Sequence, residues 1–206
     1  MCIRDRNENQ IIRSLTSSYQ NSYSKSFILK LKKYSEIKLI GMGGSTLGAK
    51  AIYSFLKDKI KKKFIFVDSL EPKNNKIKKK KSFLNLIISK SGNTLETITN
   101  TNILVKKNHK SIFITQNRKS YLMTLAKKLK AEVIHHNDFI GGRYSVLSEV
   151  GMLPAELMGL NQKKFKQFNN LIKNKNFINS LILNVSNIHE FIKKKRFNSI
   201  ILNLSL

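Results

Sequence analysis

A chain of 206 residues, 41% of them hydrophobic, has enough apolar material for a core of ordinary domain size, which excludes global disorder. Its 39 Lys and Arg against 12 Asp and Glu give a formal charge of +27, and a lone cysteine, Cys2, excludes an internal disulfide framework. No apolar run approaches the roughly 20 residues that span a bilayer, and the N-terminus lacks the layout of a secretory signal, so a soluble cytoplasmic protein is expected.

Residues 1–30 are polar, rich in Ser and Asn, and only weakly helical in pattern; they are set apart as an N-terminal segment from a domain over 31–206. The opening MCIRDR uses arginine where the body uses lysine and reads as foreign to the rest of the chain. From Ile37 onward, short apolar runs at 37–42, 64–68, 83–89, 111–115 and 131–135 are predicted as strands. Between them lie helical spacings: Leu47, Ala51 and Phe55 with Ile52 and Leu56 on one predicted face, then Leu122, Leu125, Ala126 and Leu129 on another. Strands apolar at nearly every position are buried on both faces, and helices alternating with them imply right-handed crossovers. The prediction is an α/β fold, a mainly parallel five-stranded sheet with helices on both sides.

After Ser145 the pattern turns helical through Val146, Val150, Leu153 and Leu157, with Pro154 marking a kink or restart. Two more helices are predicted over 162–173 and 178–195. A further buried strand is expected at 198–206, and its position at the chain end suggests truncation inside a βα unit. The lysines fall in scattered runs, at 61–63, 78–81 and 193–195, without interleaved aromatics to serve as stacking platforms. That scatter favours a lysine-rich composition over a nucleic-acid surface, which would predict tight, salt-steep affinity for duplex DNA.

Three segments carry chemistry. Gly41-Met42-Gly43-Gly44-Ser45-Thr46-Leu47-Gly48 sits where the first strand meets its helix. Glycines there allow a tight turn and close backbone approach, and Ser45 and Thr46 are placed to cap the helix or donate to a bound oxygen. Dinucleotide folds use the same device, but the spacing departs from GxGxxG, and Asp68 is only the nearest candidate for a ribose-binding acid. Ser89-Lys90-Ser91-Gly92-Asn93-Thr94-Leu95-Glu96-Thr97 crowds hydroxyls before a helix, which suits phosphate oxygens without a metal. The alternative is helix capping by Asn93 or Thr94; Gly-Lys-Ser/Thr in nucleotide-loop register is missing. Gly141-Gly142-Arg143-Tyr144-Ser145 follows the fifth strand, and Arg143 could stabilise charge developing on a substrate oxygen, or instead pair with Glu149 or Glu156. His109, His135, His136 and His189 show no metal-ligand spacing. All three segments fall at carboxyl ends of parallel strands, where such folds bind ligands.

Together, GMGGSTLG, ISKSGNTLET and GGRYSVLSEVGMLPAELMGL resemble the glucose-6-phosphate isomerase family, over about Ile37 to Leu206. The first two alone would indicate only the wider sugar-isomerase (SIS) domain class, including non-catalytic phosphosugar-binding modules; GGRYS is more specific. The resemblance implies a three-layer αβα SIS domain, truncated before a second one. It implies an enzyme that interconverts glucose 6-phosphate and fructose 6-phosphate through an enediol, needs no cofactor or metal, and works as a homodimer. It places Ser89, Lys90, Ser91, Gly92 and Thr94 around the phosphate, Gly44 and Ser45 along the sugar, and Gly142 and Arg143 at the reacting carbons. SKSGNT departs from the SKTFTT form of animal members. The family's base glutamate, ring-opening histidine and late lysine have no match here, so this chain alone is expected to turn over nothing measurable.

Overall fold

The computed structural model describes residues 10–70, 83–167, 170–171 and 173–194. The strand expected at 198–206, the opening hexapeptide and the lysines at 78–81 lie outside the described residues.

Five parallel strands, β1 (Glu36–Ile40), β2 (Lys63–Val67), β3 (Phe83–Ile88), β4 (Lys110–Thr115) and β5 (Glu132–His135), form one sheet in the order β2-β1-β3-β4-β5. The predicted runs match these strands to within two residues. Central β1, β3 and β4 are buried almost end to end, as strands covered on both faces must be. Successive side chains take opposite faces. Ile37, Leu39, Leu84, Leu86, Ile112 and Ile114 therefore pack with α2 (Lys25–Leu31), α3 (Leu47–Phe55) and α6 (Glu149–Leu157). Ile40, Ile87 and Phe113 pack on the other side with α4 (Leu95–Leu104) and α5 (Tyr121–Lys128). A short α1 (Gln10–Ser14) precedes this three-layer unit, and α7 (Lys175–Lys193) follows it. Ile28 and Leu31 bring α2 into the same core as the sheet.

The α3 face predicted inward is split: Ile52 meets the core together with Ala49 and Tyr53, whereas Leu47 and Phe55 are turned to solvent, 58% and 84% exposed. Gly48 sets the phase, because a Cβ there would lie 2.6 Å from Val146 Cγ2; the helix is pressed against that residue at its glycine. Leu122 and Ala126 are buried as predicted. Residues 142–147 and 162–166 form 3₁₀ helices rather than α-helix. The helix beyond the first of these, α6, runs through Pro154 without a restart, and α7 begins three residues earlier than its periodicity suggested.

The chain leaves β1 toward β2 but returns to the far side of β1 for β3. Loops following β1 and β3 therefore splay apart, opening a crevice at the strands' carboxyl ends.

Candidate functional site

The turn after β1 is tightened by Gly43, at φ +55°, which opens a 3₁₀ turn over Gly43–Ser45. Thr46 does not cap α3 with its side chain. Its backbone (φ −122°, ψ −37°) points the hydroxyl back to donate to Gly43 O at 3.2 Å.

The turn after β3 is a hydroxyl cluster. Ser89 Oγ lies 3.0 Å from Thr94 Oγ1 and accepts from Gly92 N, while Ser91 Oγ lies 3.5 Å from Thr94 Oγ1 and accepts from Asn93 N. Thr94 stands at the N-cap of α4 without a side-chain capping bond, and Asn93 Oδ1 accepts from Tyr121 N at the start of α5. Neither side chain caps α4, so hydroxyls here are arranged around one another at a helix N-terminus. Gly92 needs its missing side chain: at φ +68°, a Cβ would sit 2.3 Å from Ser120 Oγ.

The turn after β5 closes on the other two. A Cβ on Gly44 would lie 2.3 Å from Gly142 O, so these two backbones touch, and Ser145 Oγ reaches both, 2.7 Å from Gly142 O and 3.2 Å from Gly44 O. Lys90 crosses from the β3 turn to Gly141, where an added Cβ would be 2.9 Å from its Nζ. Its backbone is held by β4, through Gln116 N donating to Lys90 O.

The turns enclose a cavity of about 420 Å³, within the range of small-ligand sites. Gly44, Ser45, Lys90, Ser91, Thr94 and Gly142 line it. Ser89 and Gly92 are buried behind that wall. Arg143 follows Gly142 at the rim, exposed and outside the lining; among the described residues no carboxylate pairs with it, neither Glu149 nor Glu156. Asp68, the weak ribose candidate, is bound to Lys50 at 2.8 Å instead.

Sequence reasoning missed Gln116 and Arg118 and set His136 aside for want of metal-ligand spacing; all three also line the cavity. Gln116 and Arg118 follow β4 at the same rim, so the rule that drew attention to the other turns applied to this one too. His136 is 2% exposed, with Nδ1 3.1 Å from Asn137 O and 3.8 Å from Glu149 Oε1. Burial lowers its pKa, and Lys90 and His135 push the same way against the Asn137 carbonyl and Glu149. Glu149, fully buried, accepts from Tyr19 OH at 2.8 Å and Asn137 N at 2.7 Å. Burial and that carboxylate push the Tyr19 pKa up. Among the lining residues Lys90 and Arg118 are cationic and none is acidic, which suits an anion rather than a metal; no group of three or more metal-ligating side chains occurs among the described residues.

The sequence model of phosphoglucose isomerase matches residues 9–189. A glucose-6-phosphate isomerase of Acholeplasma laidlawii is 37% identical over 151 residues, covering 65% of this chain and 36% of the relative. That of Borreliella afzelii is 34% identical over 140 residues, covering 59% and 26%. This chain thus spans about a quarter to a third of the length of these curated relatives. A Bacillus subtilis crystal structure, described as a candidate phosphosugar isomerase, superposes with a TM-score of 0.54 at 16% identity, over 92% of this chain and 57% of that one. That likeness shows the fold alone.

Proposed function

The chain belongs to the phosphoglucose isomerase family, and on that premise we propose that its cavity holds the phosphate and part of the sugar in the interconversion of glucose 6-phosphate and fructose 6-phosphate. One observation carries the reading: a single cavity at the carboxyl ends of the strands has two cations, several hydroxyls and no carboxylate on its wall. A phosphate needs oxygen partners and compensating charge. Ser91 and Thr94 at the N-terminus of α4 supply donors, and Lys90 and Arg118 supply charge. Ser89, 2% exposed, acts by orienting Thr94, and Gly92, buried with its N–H given to Ser89 Oγ, acts by shaping the turn that presents Ser91. Gly44 and Ser45 border the sugar, and Gly142 with Arg143 faces the reacting carbons, where the guanidinium would stabilise an enediolate.

Aldose–ketose transfer also needs a base to carry a proton between adjacent carbons. With no lining carboxylate, we assign that base to the portion of the family's sequence with no counterpart in this chain, and homodimerisation and a cytoplasmic setting to the whole enzyme. The missing base favours binding without turnover for the chain as it stands. The reading needs no cofactor, nucleic acid or membrane; no helix among the described residues is long and apolar enough to cross one.

The test is calorimetric titration of the 206-residue chain with glucose 6-phosphate, fructose 6-phosphate, glucose and inorganic phosphate. Both sugar phosphates should bind, glucose should not, and Ser91→Ala should weaken sugar-phosphate binding by about tenfold, the loss of one bond to a charged oxygen. Binding of glucose as well as its phosphate, or an unaltered Ser91→Ala, would refute it.

A further inference from the structure

His136 is a buried ionisable side chain in the cavity wall that has no task in the proposed binding of phosphate and sugar. A carbonyl oxygen only accepts, so the 3.1 Å contact with Asn137 O places the ring proton on Nδ1. Nε2 is then left with a lone pair. Glu149, itself fixed by Tyr19 OH and Asn137 N, lies 3.8 Å from Nδ1, so its carboxylate faces the proton-bearing side of the ring. Burial, together with Lys90 and His135, keeps the imidazole neutral near pH 7 against the opposing pull of Glu149 and Asn137 O. The wall's charged side chains, Lys90 and Arg118, can only donate. An uncharged acceptor among them suits a ligand that brings its own hydroxyl protons.

The placement separates the parts of such a ligand. His136 directly follows β5, two strands from the hydroxyl cluster after β3, which is roughly 10 Å across the sheet. That is the scale of a hexose phosphate from its phosphorus to its far hydroxyls. A phosphate oxygen would be repelled by the Nε2 lone pair, whereas a sugar hydroxyl would donate to it. We propose that His136 Nε2 accepts a hydrogen bond from a hydroxyl of the bound sugar phosphate and so distinguishes it from bare phosphate. This rests on the cavity holding a sugar phosphate at all.

Titrations with glucose 6-phosphate and with inorganic phosphate, on the wild-type chain, His136→Phe and His136→Gln, test it. His136→Phe keeps the ring's bulk but removes both nitrogens. It should lose about three- to tenfold in affinity for glucose 6-phosphate, the size of one neutral hydrogen bond, with phosphate affinity unchanged. His136→Gln, whose amide oxygen can stand in for Nε2, should recover most of that loss. Equal losses for both ligands, or none, overturn the proposal while leaving the cavity's assignment standing. A wild-type chain that binds the two ligands equally, or neither, overturns the assignment and the proposal together. Should the Phe variant fail to fold, the ¹⁵N resonance of His136 Nε2 in the wild type decides: it should move on adding glucose 6-phosphate and not on adding phosphate. A resonance that ignores both refutes the proposal.

Discussion

Gly44→Ala should damage binding more than Gly43→Ala, although Gly43 has the unusual backbone. Gly43 sits at φ +55°, but an added Cβ there meets nothing within 4 Å, so alanine costs only the strain of the left-handed region, about 1–2 kcal/mol. Gly44 is outside that region, yet its Cβ would lie 2.3 Å from Gly142 O, 2.4 Å from Gly142 C and 2.7 Å from Gly142 Cα. Ordinary contact begins at 3.4 Å, so the third turn must retreat by about 1 Å, and backbone has no rotamer by which to yield. The retreat breaks the 3.2 Å bond from Ser145 Oγ to Gly44 O and loosens the β1 and β5 turns from each other. A bond lost from a part-buried carbonyl plus displaced packing comes to about 2–3 kcal/mol, or about 5–10 °C in Tm for a chain of this size. Urea unfolding and calorimetric titration with glucose 6-phosphate measure both effects. Gly44→Ala should lose at least about tenfold in affinity, and Gly43→Ala less than about twofold. A Gly44→Ala chain with wild-type stability and affinity, or a Gly43→Ala chain that binds worse, would refute the claim that the turns are interlocked through this contact.

Arg143→Ala, made in a full-length family enzyme carrying this segment, should cut kcat by far more than it raises the Kd of a substrate-like inhibitor, since the charge is needed as the enediolate forms. Equal losses in both would assign the arginine to ground-state binding. Stability should depend on His136 in a defined direction. Its native pKa is held below 6.5, so as pH falls through 6.5 the unfolded chain takes up a proton that the native state resists. Native stability therefore drops on acidification, and the drop levels off below the native pKa. The urea midpoint should fall less between about pH 7.5 and about pH 5.5 in His136→Gln than in the wild type, while His109 titrates in both and cancels. Identical pH dependence would show that His136 does not contribute.

Local pattern made the strands legible. Segments such as Leu84–Ile88 and Ile112–Ile114 are largely apolar on successive positions, and only burial on both faces explains that. The three turns were legible for a related reason, since glycines and hydroxyls between a strand and a helix mark close backbone approach. The inward face of α3 was legible only at Ile52. Leu47, Ala51 and Phe55 make as good an apolar stripe beside it as Ala49 and Tyr53, and the choice was made by Gly48 against Val146, nearly a hundred residues away. The 3₁₀ form of 142–147 escaped for the same reason: it depends on Ser145 reaching Gly142 O and Gly44 O together.

Sequence alone determined the parallel sheet, the rim that carries the chemistry and the residue types gathered there, because each follows from periodicity and side-chain character within a dozen residues. Tertiary structure decided which side chains share a cavity. The reversal of strand order between β1 and β3 opens it, and the Gly44–Gly142 contact closes its wall. Arg118 and His136 enter because β4 and β5 end at the same level, and Glu149, at the start of another helix, fixes Asn137 N beside the His136 ring. Such convergence comes from chain crossing and backbone proximity, and no local pattern of residues encodes it.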